Sequence, residues 1–167
     1  MSGDRIRFRA ALSDDYPSIC KLFTSAEELF LAFPTARWPF TLRQLHRITE
    51  QRTDLTVVSD REDTIGFADL YDLVPRRQAC IGNVIIKNTR RGQGTGKRLL
   101  EYMLDRIFNH HQLPTAMIAV FEDNRPAFRL YRQLGFTVAG RETRQRPDGQ
   151  DAVLLQMKLA RISHRVP

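Results

Sequence analysis

A chain of 167 residues with 42% hydrophobic and 27% charged side chains has the size and composition of one globular domain, for which about 100–200 residues is usual. It holds no apolar run approaching the ~20 residues of a membrane-spanning helix. Its opening, MSGDRIRFRA, lacks the apolar core of a signal peptide, so a cytoplasmic location is expected. Two isolated cysteines, Cys20 and Cys80, exclude a disulfide framework and a CxxC metal site. The formal net charge of +7 is unevenly placed: residues 1–72 carry 9 Lys/Arg against 12 Asp/Glu, and residues 73–167 carry 17 against 7. A basic half of this kind fits either a general basic face or a site for a polyanionic ligand.

The alternation in Ile6-Arg7-Phe8-Arg9-Ala10 predicts a half-buried strand. Ser13-Asp14-Asp15 offers a cap and an acidic first turn, and a helix with Ile19, Leu22 and Phe23 on its inner face should follow. Pro34 and Pro39 bracket a loop, and Thr41 can cap a second helix reaching about residue 52. Residues 55–59 and 64–71 read as two strands joined at Asp60-Arg61-Glu62-Asp63, and residues 79–86 as a third. Leu99, Leu100, Met103, Leu104, Ile107 and Phe108 recur at helical spacing. Residues 115–121 form an apolar run fit for a buried strand, and 125–134 a helix stopped by Gly135. Strands near 136–142 and 152–159 close the chain around Pro147-Asp148-Gly149. The order is β-α-α-β-β-β-α-β-α-β-β, a mixed α/β (α+β) domain spanning 1–167 without repeats or linkers.

Between the third strand and the amphipathic helix stands Arg91-Gly92-Gln93-Gly94-Thr95-Gly96-Lys97. Alternate glycines let backbone approach a ligand closely. N–H groups at a helix start lack intrahelical acceptors, and the helix dipole favours negative charge beside them. Arg91, Lys97 and Arg98 add full charges. A Walker loop needs GxxxxGK[ST] and a dinucleotide fingerprint GxGxxG in the first βα unit; neither fits. On composition alone the glycines could also be ordinary turn chemistry.

Arg91-x-x-Gly94-x-Gly96 directly after a strand resembles the acetyl-CoA pyrophosphate motif of the GNAT (GCN5-related N-acetyltransferase) superfamily. Asn124-x-x-Ala127-x-x-Leu130-Tyr131-x-x-x-Gly135-Phe136 resembles that superfamily's second signature, on the next strand–helix unit. The resemblance covers about residues 82–136 and implies a GNAT fold with a single mixed, mostly antiparallel sheet flanked by helices. It implies that main-chain groups of Val84, Ile85 and Ile86 bind the pantetheine arm of acetyl-CoA and that the amides from Gly92 to Lys97 wrap the pyrophosphate. Asn124 resembles the asparagine that contacts the pantetheine arm, although it also suits an N-cap; Ala127 belongs to the same signature. Tyr131 resembles the general acid that protonates departing CoA, a task suited to a phenol with a reference pKa of ~10, although a core aromatic would fit there too. Leu130, Leu134 and Phe136 read as packing residues.

The base is less directly marked. Some N-terminal acetyltransferases of this fold place a glutamate five residues before the motif asparagine, where this chain has Ala119. Glu122 is the nearby candidate, with an exposed acidic pair Glu122-Asp123 as the alternative. On the acceptor side, Glu27, Glu28, Trp38 and Asp69 are candidates to bind a cationic amine, against a solvated helix face and a core tryptophan. The resemblance thus implies an acetyl-CoA-dependent N-acetyltransferase acting by direct attack of a primary amine (small molecule, polyamine or protein N-terminus), frequently a homodimer. No metal, nucleic-acid or membrane partner is expected. A non-catalytic CoA-binding sensor and a basic nucleic-acid-binding module are the alternatives, the latter without any RNA, zinc or basic-helix motif to support it.

Overall fold

The computed structural model describes residues 5–162. They divide into two compact units: one draws on the chain up to Tyr71 and on Ile81–Met103, the other on Asp72–Cys80 and the chain from Leu104 on.

In the first unit, strands β1 (Ile6–Ala10), β2 (Thr53–Asp60), β3 (Asp63–Val74) and β4 (Gln78–Ile86) lie in that order, the tip of the β3–β4 hairpin falling to the second unit. β1 and β2 are antiparallel, with Phe8 opposite Val58, as are β2 and β3, with Val57 opposite Phe67. Three helices separate β1 from β2: α1 (Tyr16–Cys20), α2 (Ala26–Ala32) and α3 (Leu42–Thr49). Where the periodicity predicts two helices here, the chain makes a third, because Ser25 starts a new one. Its hydroxyl accepts the Glu28 N–H, and the Glu28 carboxylate accepts the Thr24 N–H at 2.8 Å, a variant of the capping box that ends the preceding turn. Thr41 caps α3 as predicted, accepting from Gln44 N. Ile19, Leu22, Phe23, Leu29, Phe33, Phe40, Leu45, Val57, Phe67 and Ile85 form one core. Phe33 lies at its centre, with ring centroids 5.3 Å from Phe23, 5.0 Å from Phe40 and 6.5 Å from Phe67. Helix α4 (Thr95–Asp105) follows β4, and its Leu99, Leu100 and Met103 have no exposed surface.

In the second unit, β5 (Thr115–Phe121), β7 (Asp151–Ala160) and β6 (Thr137–Gln145) are adjacent in that order and antiparallel, with Val120 opposite Leu155 and Glu142 opposite Leu154. A single wide turn, Arg106–His110, carries the chain from α4 toward β5. Helix α5 (Arg125–Gln133) ends at Gly135, whose φ of +98° is left-handed. There the Phe136 N–H reaches the Tyr131 carbonyl at 3.0 Å and the Gly135 N–H reaches Arg132, the two bonds of a Schellman cap. The rings of Tyr131 and Phe136 pack with centroids 6.2 Å apart. The Tyr-x-x-x-Gly-Phe spacing is therefore a helix stop that fixes the tyrosine's turn. A Cβ on Gly135 would lie 3.2 Å from Leu159 Cδ1. Gly135→Ala should cost about 1–2 kcal/mol of stability, the penalty for a non-glycine residue in this conformation, measurable by urea denaturation.

Candidate functional site

In the first unit the end of β4 is pinned before the glycine turn begins. Lys87 donates its N–H to Ile65 at 2.8 Å and its ammonium to Asp63, while Arg90 pairs with Asp60 at 2.7 Å. Arg91 Nε donates to the Ile86 carbonyl at 2.9 Å, closing the strand. Gly92 and Gly94 then adopt φ of +72° and +81°, where L side chains are strained, and a Cβ on either would meet no atom within 4 Å. Gly94 accepts the first helical bond, from Arg98 N at 3.1 Å. The amides of Thr95, Gly96 and Lys97 thus precede the hydrogen-bond ladder and have no intrahelical acceptor. Thr95 is buried and anchors the turn, while residues 92–94 are exposed. Open space beside the two glycines, amides without intrahelical acceptors and the positive end of α4 are what an oligophosphate requires, so these residues fit the pyrophosphate of a coenzyme A. Val84, Ile85 and Ile86 form the strand that leads into the turn.

The acidic candidates of this unit do not gather around one amine site. Glu28 lies 2.8 Å from Arg91, joining α2 to the glycine turn, and its other oxygen accepts from the Thr24 N–H and hydroxyl. Burial alone would raise its pKa, but the Thr24 and Arg91 bonds outweigh that and hold the carboxyl below its usual range. Glu27 and Trp38 are exposed, Trp38 at 46%, which removes the core-tryptophan alternative. Asp69 has no exposed surface; its oxygens face Arg52 Nη1 at 3.2 Å and the Asn83 amide. Burial pushes its pKa up to about 6 against the opposing pull of Arg52 and Asn83. It is enclosed, so direct contact with an amine is not among its uses. Arg52 and Asn83 carry no motif, and the sequence singles out neither; the one available signal is a polar Gly82-Asn83 interrupting an apolar strand.

In the second unit Asn124 occupies the N-cap position of α5: its carbonyl accepts the Phe128 N–H at 3.0 Å. Its side chain makes no capping bond, so the amide is not consumed by the cap that the sequence allowed. Ala127 and Tyr131 follow at three and seven residues, placing all three along one face of the helix. Tyr131 is buried, and burial pushes its phenol pKa well above the ordinary value. It stays protonated at ordinary pH and can donate, but not accept, a proton there. Glu122 is exposed and paired with Arg141 at 3.1 Å, and its neighbour Asp123 pairs with Arg146. The structure thus sets Glu122 in a surface ion pair. Among the described residues no helix is long and apolar enough to cross a membrane.

Residues 20–136 match the profile of the Acetyltransferase (GNAT) family. The spermine/spermidine N(1)-acetyltransferase of Bacillus subtilis (strain 168) is 27% identical over 85 residues, 47% of this chain and 55% of that protein; the chain spans about half the length of this curated relative. The spermidine N-acetyltransferase of Vibrio cholerae, solved in complex with CoA and spermine, superposes with a TM-score of 0.80 over 95% of this chain and 96% of that one, at 21% identity. The yncA protein of Salmonella typhimurium, solved with its cofactor acetyl-CoA, gives a TM-score of 0.74 over 98% of each chain at 19% identity. These likenesses establish the mixed α/β fold of the family.

The carboxyl of Asp69 titrates near 6 in the folded chain against 3.8 ordinarily, so between those values the folded state binds more protons than the unfolded one. This group's contribution to stability therefore falls as pH rises from about 4 to about 6 and is level above that. In Asp69→Asn the slope is absent. Chemical denaturation at a series of pH values should find the stability difference, variant minus wild type, rising across that window and then flat.

Proposed function

Because the chain belongs to the GNAT acetyltransferase family, we propose that it is an N-acetyltransferase that moves an acetyl group from acetyl-CoA to a primary amine by direct attack. The observation that carries this reading is the glycine turn opening α4, with φ of +72° at Gly92 and +81° at Gly94 and free space beside both. Acetyl-CoA supplies the acetyl group as an activated thioester. The amides from Gly92 to Lys97 hold the pyrophosphate, with the positive end of α4 behind them. Main-chain groups of Val84, Ile85 and Ile86 hold the pantetheine arm, with the Asn124 side chain as a further contact and Ala127 in the same signature.

Tyr131 keeps its proton until sulfur departs and then delivers it, so the C–S bond breaks to a neutral thiol rather than a free thiolate. The amine nitrogen forms the new C–N bond and loses one proton to solvent or a base. No covalent enzyme intermediate is required, and neither Cys20 nor Cys80 stands in a nucleophile motif. Glu27 and Trp38, both exposed, are the acceptor-side groups we assign to a cationic amine. Spermine and spermidine lead the substrate panel because the relatives above act on them. We assign the chain a cytoplasmic location, a single domain over residues 1–167 and a homodimeric assembly.

The direct test is release of free thiol from acetyl-CoA with spermidine, spermine, simple diamines, amino acids and an N-terminal peptide. Turnover of at least one amine is expected; binding of acetyl-CoA with no turnover across the panel would favour a CoA sensor instead. In the same assay Tyr131→Phe should lower kcat by about 10²–10⁴-fold, the usual contribution of a positioned acid, while calorimetry finds acetyl-CoA binding retained. Full activity in that variant would assign the proton to another donor.

A further inference from the structure

Three features of the first unit meet at a place the chemistry above does not use. Asp69 on β3 is fully enclosed and divides its two oxygens between partners: Oδ1 lies 3.2 Å from Arg52 Nη1, and Oδ2 accepts the Asn83 side-chain amide at 2.5 Å. The Arg52 guanidinium in turn lies 4.3 Å from the centre of the Tyr71 ring. A Cβ at position 82 would stand 2.6 Å from Arg52 Nη1 and 2.9 Å from the Tyr71 ring, so Gly82 leaves the room that this cluster fills.

Asn83 is itself unusual. It lies within β4, is buried, and has φ of +55°. A left-handed residue inside a strand breaks the regular two-residue alternation and redirects the peptide groups that follow. Asparagine tolerates this conformation better than most residues, but nothing in strand geometry selects it. The Asp69 carboxylate does, because it is bonded to the Asn83 side chain from the neighbouring strand. The residues immediately following are Val84, Ile85 and Ile86.

We propose that Asp69 and Asn83 are positioning residues for the acyl donor: the buried carboxylate tethers the Asn83 side chain, the tether holds the Asn83 backbone left-handed, and that conformation aims the main-chain groups of Val84, Ile85 and Ile86 at the pantetheine arm. This rests on the acetyl-CoA reading above. A carboxylate suits the role because it accepts from Arg52 and Asn83 at once, whereas an amide would have to turn its NH₂ toward one of those donors. Arg52 keeps the carboxylate charged and oriented; Tyr71 and the missing Cβ at Gly82 keep Arg52 in place.

The test is calorimetric titration of wild type, Asp69→Asn, Asn83→Ala and Asn83→Gly with two ligands. One is acetyl-CoA; the other is adenosine 3′-phosphate 5′-diphosphate, which keeps the pyrophosphate but lacks the pantetheine arm. Asp69→Asn and Asn83→Ala should raise the Kd of acetyl-CoA by about tenfold, the scale of one lost well-aligned hydrogen bond, and leave the Kd of the nucleotide diphosphate unchanged. Asn83→Gly, which takes the left-handed conformation without strain, should bind acetyl-CoA more tightly than Asn83→Ala. Equal weakening toward both ligands, no weakening toward acetyl-CoA, or Ala matching Gly at position 83 would overturn the proposal. If Asp69→Asn does not fold, the two Asn83 variants decide it alone. Wild type binding neither ligand would instead overturn the coenzyme reading, a result distinct from any of these.

Discussion

Holding a diphosphate with main-chain amides requires several N–H groups to aim at one region, and a helix alone supplies them only along its first turn. Further donors have to come from the residues before it, where the backbone must change hand. Gly92 at +72° and Gly94 at +81° make that change. The rest of the first unit can be understood as what keeps the two ends of this turn still. On one side Lys87, Arg90 and Arg91 tie the end of β4 to Asp63, Asp60 and the Ile86 carbonyl. On the other, the fully buried Leu99, Leu100 and Met103 fix α4. Both ends of the turn are thus anchored, and anchoring reduces what a ligand would have to order.

The charges around the turn contribute less than their number suggests. Arg91 is paired with Glu28, and Lys97 stands 3.9 Å from Glu101 in an exposed i,i+4 pair. Exposed pairs of this kind are worth at most about 1 kcal/mol. The value of Arg91 lies in its geometry: its Nε closes β4 while its other end holds the Glu28 of α2. Arg91 and Lys97 thus add a general preference for negative charge, while the main-chain conformation of the turn is what would select the place of an anion.

Much of this was legible in the sequence wherever burial imposes a period or a turn imposes a hand. β5 matches the expected residues 115–121 end to end because an apolar run is bounded there by Pro114 and the charged Glu122-Asp123. The end of α5 follows from Gly135, and the left-handed turn before α4 from its glycines. Strand ends were less readable: β3 runs to Val74 and β6 to Gln145, beyond the expected 71 and 142, through residues that are exposed apart from Leu73. Between β1 and β2 the apolar Ile19, Leu22 and Phe23 imitate one helix, and the cap at Ser25 that divides it was present as Ser-x-x-Glu but hidden under that period. The Asp69–Asn83 pair was invisible for a different reason. It joins residues 14 apart in the chain, and a lone polar residue on a strand looks the same whether it faces solvent or a partner.

The carboxylates show why the acceptor side stays harder to read than the donor side. A phosphate site is written in backbone conformation, which glycine spacing betrays; an amine site is written in acidic side chains, which every surface also displays. Of the candidates here, Glu28 is occupied by Arg91 and Thr24, Asp69 is enclosed with Arg52 and Asn83, and Glu122 is paired with Arg141. An alkyl ammonium with a pKa near ~10.4 is protonated at neutral pH and must lose its proton to attack. Desolvation of a bound ammonium lowers that pKa without any enzyme base. With these three candidates committed, solvent would be the proton acceptor in the proposed reaction, and the deprotonation step would then depend on how the amine is shielded rather than on one of them.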